Sequence, residues 1–219
     1  MLFVLATLAL QVSPTVPSDF VAKNGKTKVW DAQVFAPRLK TGAGRALAAK
    51  VGNDEKAAMN AWVAQVKSDL KDYRPDRIQT YEATPEYAYE RGQVASSRMM
   101  VFYDNGGAHP NTVYRNYNFW GTKPLSLSGC FNPGFDGSRH VSYLLMEKLV
   151  KNPNATFVQD GSVRELTPQQ LEQFVVTPKG LVWTFSPYEL GPYVVGAISQ
   201  LLKPEDLGPN FRLSMLQGR

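Results

Sequence analysis

Cysteine is nearly missing from this chain: Cys130 is the one thiol in 219 residues. No intrachain disulfide can form, and no zinc site can be built from thiolates. Histidine is also scarce, at two residues, which leaves little for a metal centre. No cofactor or metal is therefore expected. Long apolar runs are wanting too. Residues 1–10 (MLFVLATLAL) are uncharged but only ten long, about half of what a membrane-spanning helix needs. Charged residues are 20% and hydrophobic residues 43%, which excludes a disordered chain, a coiled coil and a multi-span membrane protein. No zinc-finger spacing, GXXG loop or aromatic RNA-binding motif occurs, so a nucleic-acid partner is not expected.

What is present begins with charge. The net is +5, and its excess lies early. Between residues 23 and 50 stand Lys23, Lys26, Lys28, Arg38, Lys40, Arg45 and Lys50 against one acid, Asp31. Such a strip suits an anionic polymer or an ordinary solvated face. The apolar run 1–10, followed by the proline-rich QVSPTVPS, has the length of a signal-peptide core although a basic start is missing. A buried amino-terminal strand is the alternative. Export is the expectation, with residues 1–18 as signal-like segment and linker and the protein secreted or facing the cell envelope.

Periodicity then sketches the fold. A strand is expected over 27–35, and Gly42 and Gly44 should loosen the chain after it. Asn53 is placed to cap a helix whose Met59, Trp62, Val63, Val66 and Leu70 recur at spacings of three and four. Arg74-Pro75 ends it. The period falls to two over 98–104 and 112–120, which predicts strands. In the second, Val113, Arg115, Tyr117 and Phe119 share one face, and Tyr114, Asn116, Asn118 and Trp120 the other. A helix is predicted over 138–151. Thr167-Pro168-Gln169-Gln170 reads as a capped helix start. A hairpin is predicted from 174–176 and 181–185, a last strand over 193–198, and one helical turn over 204–207. Clustered strands with interspersed helices predict an α+β fold with an antiparallel sheet. The expected subdomains are a small amino-terminal one, 19–94, and a larger one, 95–219.

Two motifs stand out. The first is Tyr103-Asp104-Asn105-Gly106-Gly107-Ala108-His109-Pro110-Asn111, with Asn118-Phe119-Trp120-Gly121 closing the strand that follows. The second is Thr177-Pro178-Lys179-Gly180-Leu181 leading into Phe185-Ser186-Pro187-Tyr188-Glu189-Leu190-Gly191-Pro192-Tyr193, then Gly196. In this order the pair resembles the RsiV-like carboxy-terminal domain, over about residues 95–208. Segment 26–94 resembles the smaller domain that usually precedes it. The resemblance implies an α+β body outside the membrane, as in extracellular parts of bacterial anti-sigma factors and beside peptidoglycan deacetylase domains. It implies a non-catalytic binding or sensing role, with a lysozyme-like protein or peptidoglycan as partner.

The same residues can be read for chemistry. Gly106 and Gly107 permit a turn whose amides could cradle an anion, or simply connect two strands. His109 before Pro110 is held extended, as a buried hydrogen-bond partner or a pocket wall. Tyr188 and Tyr193 offer flat apolar area with a hydroxyl, which suits a sugar or protein contact. Glu189 could pair with His109 or Arg115, or satisfy a nearby amide. The candidate ligand-binding set is thus Gly106, Gly107, His109, Asn111, Arg115, Tyr188, Glu189 and Tyr193. No catalytic residue is assigned. A hydrolase would draw on Asp104, His109, Asp136, His140, Glu189 or Cys130, and no recognised motif links them. A glycan hydrolase or deacetylase-type enzyme, and a structural accessory domain without a small ligand, remain the alternatives.

Overall fold

The computed structural model describes residues 12–23, 27–72 and 76–217. The apolar run 1–10 and the helix stop at Arg74-Pro75 lie outside the described residues. Strands β1 (Val12–Lys23) and β2 (Thr27–Pro37) pair antiparallel, so residues 12–18, expected as linker, belong to a strand. Helix α1 (Gly42–Asp69) follows, then β3 (Gln79–Arg91), β4 (Val94–Asp104), β5 (Asn111–Trp120) and the two-residue β6 (Lys123–Pro124). These six strands form one sheet in sequence order. All its pairs are antiparallel except β2 with β3, which run parallel because α1 crosses between them. Helix α2 (Gly137–Val150) leads to the single-turn helices α3 (Thr156–Gln159) and α4 (Pro168–Leu171). A second antiparallel sheet then forms from β7 (Phe174–Thr177), β8 (Gly180–Phe185) and β9 (Ile198–Leu202). One-turn helices α5 (Pro204–Leu207) and α6 (Ser214–Gln217) finish the described chain. The α+β expectation holds, as does an antiparallel-dominated sheet. Among the described residues no helix is long and apolar enough to cross a membrane.

Helix α1 starts eleven residues before the expected cap, counting from Asn53 back to Gly42. The real cap is Thr41, whose hydroxyl accepts from the Gly44 amide at 2.9 Å. The Glu90 carboxylate, reaching over from β3, accepts from the Lys40 and Thr41 amides. Gly44 is therefore not a loosening residue. A Cβ there would meet the Glu90 carboxylate and Leu39, so glycine is what lets the capping residues close in. Asn53 and its acidic neighbours sit mid-helix, where Lys50 pairs with Asp54 at 2.8 Å.

Strand β3 is absent from the periodicity reading. Its alternation is plain, but Pro85 interrupts it, and proline cannot donate to a ladder. A bulge between Pro85 and Tyr87 absorbs the fault. The expected strand over 193–198 is instead a 3₁₀ turn, Tyr193–Val195, and β9 begins at Ile198. The other expected elements lie within a few residues of their predicted ends. Asp136 caps α2 through the Arg139 amide, and Thr167 with Gln170 closes a capping box on α4.

Two apolar clusters flank the large sheet. Met99, Val101 and Phe119 pack with Leu47, Val51, Met59 and Val63 of α1. On the opposite side the second sheet, α2 and the carboxy-terminal turns share a core that includes Phe174, Trp183 and Phe185. Residues 94 and 95, the expected meeting point of the two subdomains, are the first two residues of β4. The second sheet is joined to the first by buried side chains. Asn118 donates to the Phe174 carbonyl at 2.7 Å and accepts from the Ser96 hydroxyl at 2.6 Å. Ser96 in turn accepts from the Val176 amide at 2.9 Å. The backbone groups of β7 that would otherwise be buried without a partner are thereby satisfied.

Candidate functional site

The loop between β4 and β5 is shaped by its own side chains. Gly106 has a positive φ of 77°, which favours glycine. Its amide donates to Asp104 Oδ1 at 2.8 Å, and Arg77 pairs with the same oxygen at 3.0 Å. The anion-cradle reading fails for Gly106, because Asp104 already occupies that donor. The Gly107 carbonyl accepts from Arg77 at 2.6 Å. Asn105 Oδ1 takes the Trp62 indole N–H at 2.6 Å, tying the loop to α1. Asn111 is engaged at both ends: it donates to the Tyr103 hydroxyl and accepts from the Thr112 amide, each at 2.9 Å.

Opposite the loop, the segment 186–193 is pinned by its middle. Leu190 is buried in the second core. A Cβ on Gly191 would lie 2.6 Å from the Asn154 carbonyl, so only glycine fits there. The tyrosines on either side are left to point away. The Glu189 amide returns to the Ser186 carbonyl at 3.1 Å and closes a turn with Pro187 and Tyr188 at its centre. Tyr188 has a φ of 73°, the position where such a turn favours glycine. A left-handed tyrosine costs on the order of 1–2 kcal/mol. The Ser186 hydroxyl accepts from the Tyr114 amide at 3.1 Å, which fastens the segment to the edge of β5.

The two motifs meet. The His109 ring stacks on Tyr193 with centroids 4.2 Å apart and planes at 25°. Tyr188 and Tyr193 lie 5.7 Å apart. His109 Nδ1 is 2.9 Å from the Pro110 carbonyl, which can only accept, so Nδ1 carries the proton. In the neutral ring Nε2 then accepts from the Tyr188 hydroxyl, 3.2 Å away. Tyr193 also donates to the Pro110 carbonyl, at 2.9 Å. His109 is exposed rather than buried, and Tyr188 keeps 51% of its surface open, with Val194 beside it at 88%. A groove of about 570 Å³ runs from Tyr193 past Pro187 to Met100, Thr112 and Tyr114.

Arg115 and Glu189 go elsewhere. Arg115 lies on the α1 side of β5 and pairs at 2.6 Å with Glu55, which is fully buried. The Tyr117 and Tyr81 hydroxyls donate to the same carboxylate at 2.8 and 3.3 Å. Burial, with the Glu55 charge added, pushes Tyr81 up to about 12. Arg115 thus belongs to a closed structural network, not to the aromatic ledge. Glu189 pairs with neither His109 nor Arg115. Its carboxylate accepts from the Ser186 amide, and the Gln173 and Gln170 side chains act to lower its pKa. Burial raises its pKa and outweighs them.

The residues a hydrolase would draw on are dispersed. Asp136 is a helix cap. His140 on α2 sits edge-on to Phe131 and Phe135. Cys130 is buried, and burial pushes its thiol up to about 12. Among the described residues neither histidine hydrogen-bonds a serine, threonine or cysteine, and no three His, Cys, Asp or Glu side chains gather where a metal ion could sit. Periodicity placed Asn116 and Arg115 on opposite faces of β5. Nothing in the sequence marked the tertiary partners of Glu55, Gln170 and Gln173, because they lie 60, 19 and 16 residues away.

Comparison with known proteins finds one similar sequence and two similar folds. The chain is 30% identical over 133 residues to Esterase Rv3036c of Mycobacterium tuberculosis, which covers 56% of this chain and 57% of that protein. The match thus spans little more than half of the relative's length. A solved DUF3298 family protein from Pseudomonas aeruginosa PAO1 superimposes with a TM-score of 0.64 at 15% identity, over 96% of this chain and 98% of that one. A member of the same family from Bacteroides fragilis gives 0.52 at 15% identity, over 95% and 96%. These likenesses speak for the fold. Residues 131–203 match the family described as protein of unknown function (DUF3298).

Proposed function

We propose that this protein is a non-catalytic, extracytoplasmic binding module. Its contact surface is the ledge formed by His109, Tyr188 and Tyr193 with the groove beside it. The observation that carries the reading is Tyr188: a bulky residue held in a left-handed turn, half exposed, beside a stacked His109–Tyr193 pair. Strain of this kind persists where the surroundings over-determine it, and it clusters at contact sites. Flat rings already held in place bind with little loss of side-chain freedom. The resemblance to the RsiV-like domain and the apolar run 1–10 support placement outside the cytoplasm. A net charge of +5 favours cell-wall glycan over a basic lysozyme-like protein, since like charges slow encounter.

The test is capture from envelope extract by wild type and by the Tyr188→Ala/Tyr193→Ala variant, with peptidoglycan sedimentation and lysozyme binding measured separately. One partner held by the wild type and released by the variant is the expected result. Equal retention by both proteins defeats the reading.

A second reading, ester hydrolysis, rests on the name of the mycobacterial relative. A panel of nitrophenyl esters decides it. The binding reading expects no turnover above buffer. Turnover that His109→Ala abolishes would move the ledge from recognition to catalysis.

A further inference from the structure

Beyond that ledge, a second surface on the same side of β5 is built from neutral amides. Asn116 turns its carboxamide toward α4, and both Oδ1 and Nδ2 are buried without a hydrogen bond from the chain. Gln173, just past α4, leaves Oε1 in the same condition. Both side chains line a depression of about 460 Å³, completed by Pro168, Gln169 and Glu172. That size is within the usual range for small-molecule sites. Native proteins satisfy nearly all buried polar groups, so three orphaned atoms on one wall are a concentration that calls for a partner.

The orientation of these amides is set from behind. The Gln170 Oε1 accepts from the Thr167 amide at 2.9 Å in the capping box, which turns its amino group toward Glu189. Gln173 also interacts with the Glu189 carboxylate and acts to lower its pKa. A carboxylate accepts, so Gln173 gives its N–H there and keeps Oε1 unengaged. The wall therefore presents two acceptors, Asn116 Oδ1 and Gln173 Oε1, and the donor group Asn116 Nδ2. An anion matches this poorly: it brings no hydrogen to the two acceptors and meets Glu172 at the rim. A cation matches it poorly as well, since it leaves the Asn116 donor unused. Hydroxyl groups both donate and accept, and neighbouring hydroxyls on a ring reach one carboxamide at both ends. The Pro168 ring adds an apolar patch for the face of such a ring.

We propose that the depression between β5 and α4 binds a neutral sugar ring, with Asn116 as two-ended partner and Gln173 as second acceptor. The site uses none of the ledge residues and stands or falls apart from the ledge reading.

The test follows the side-chain amide resonances of the isotope-labelled full chain by NMR during titration with glucose, N-acetylglucosamine, glucose 6-phosphate and glucosamine. Saturable shifts of the Asn116 amide with the two neutral sugars are expected, with affinity at least about tenfold weaker for the charged ones. Read at the Gln173 amide, Asn116→Ala should abolish the response; read at the Asn116 amide, Gln173→Glu should weaken it about tenfold, while Tyr143→Ala on the exposed side of α2 leaves it unchanged. Should Asn116→Ala fail to fold, Gln173→Leu carries the same comparison. A β-linked oligosaccharide binding more tightly than the monosaccharides assigns the site to a glycan chain; equal affinity assigns it to a free sugar. Absence of any saturable shift with neutral sugars, tighter binding of the phosphate, or an undiminished response in both variants overturns the proposal.

Discussion

The two faces of β5 are held by opposite chemistry. Toward α1, Arg115 reaches the buried Glu55, and two tyrosine hydroxyls complete its shell. Toward the second sheet stand Asn116 and Asn118, both neutral. A buried charge demands an opposite charge in fixed geometry, because its desolvation is otherwise uncompensated. On that face Arg115, Tyr117 and Tyr81 are all engaged with Glu55. A carboxamide donates and accepts, so neighbouring amides can be divided. Asn118 joins the sheets, and Asn116 is left for an outside partner. The contrast teaches where to look for recognition on this fold: beside the neutral amides, not beside the ion pair.

The largest effect should come from breaking the charged face. Arg115→Ala leaves the Glu55 charge without its cation and should cost roughly 3–5 kcal/mol in urea unfolding. Adding Glu55→Met should recover most of that loss. A cost below about 1 kcal/mol would mean that the pair is no more than a surface contact.

Next comes the neutral face. Asn118→Ala strands the Phe174 carbonyl and the Ser96 hydroxyl, and should cost about 2–3 kcal/mol. Asn116→Ala strands nothing within the chain and should change stability far less. Equal losses for the two would erase the distinction between bridging and outward-facing amides.

A smaller, pH-dependent effect separates two glutamates. Burial tends to raise Glu90, but the amides of Thr41 and Lys40 prevail and hold its pKa below the ordinary value. Its contribution is present above that ordinary value and is lost as pH falls through the lower folded pKa. Glu189 has the reverse sign. Burial holds its pKa up, so the folded chain retains the proton longer and loses stability as pH rises from the ordinary value through the folded one. Glu90→Gln should flatten the acid side of the stability profile. Glu189→Gln should remove the decline above it. Identical profiles for both variants would contradict the assignment.

The smallest effect is expected at the ledge. Tyr188→Gly relieves the left-handed strain and loses a half-exposed ring, so stability should stay within about 1 kcal/mol while partner capture falls. A large thermal shift would make Tyr188 a structural residue.

Much of this was legible beforehand. Strict alternation separated Arg115 from Asn116, and the three-four spacing of Met59, Val63 and Val66 marked the buried stripe of α1. Those are local properties, imposed by the period of each backbone. The capping box at Thr167 was equally local. The start of α1 was not, since it depends on Glu90, 49 residues from Thr41. Nor was β3, whose Pro85 is tolerated only through a bulge against β4.

By itself, then, the amino-acid order determined which stretches could be helix or strand and which side chains would share a face, because both follow from repeat lengths of a few residues. Tertiary structure alone decided the partners. It set Arg115 against Glu55, Glu189 against Gln170 and Gln173, and His109 against Tyr188 and Tyr193. Those choices depend on how α1 and the second sheet dock on opposite faces of the first, and distant contacts of that kind leave no periodic trace in the chain.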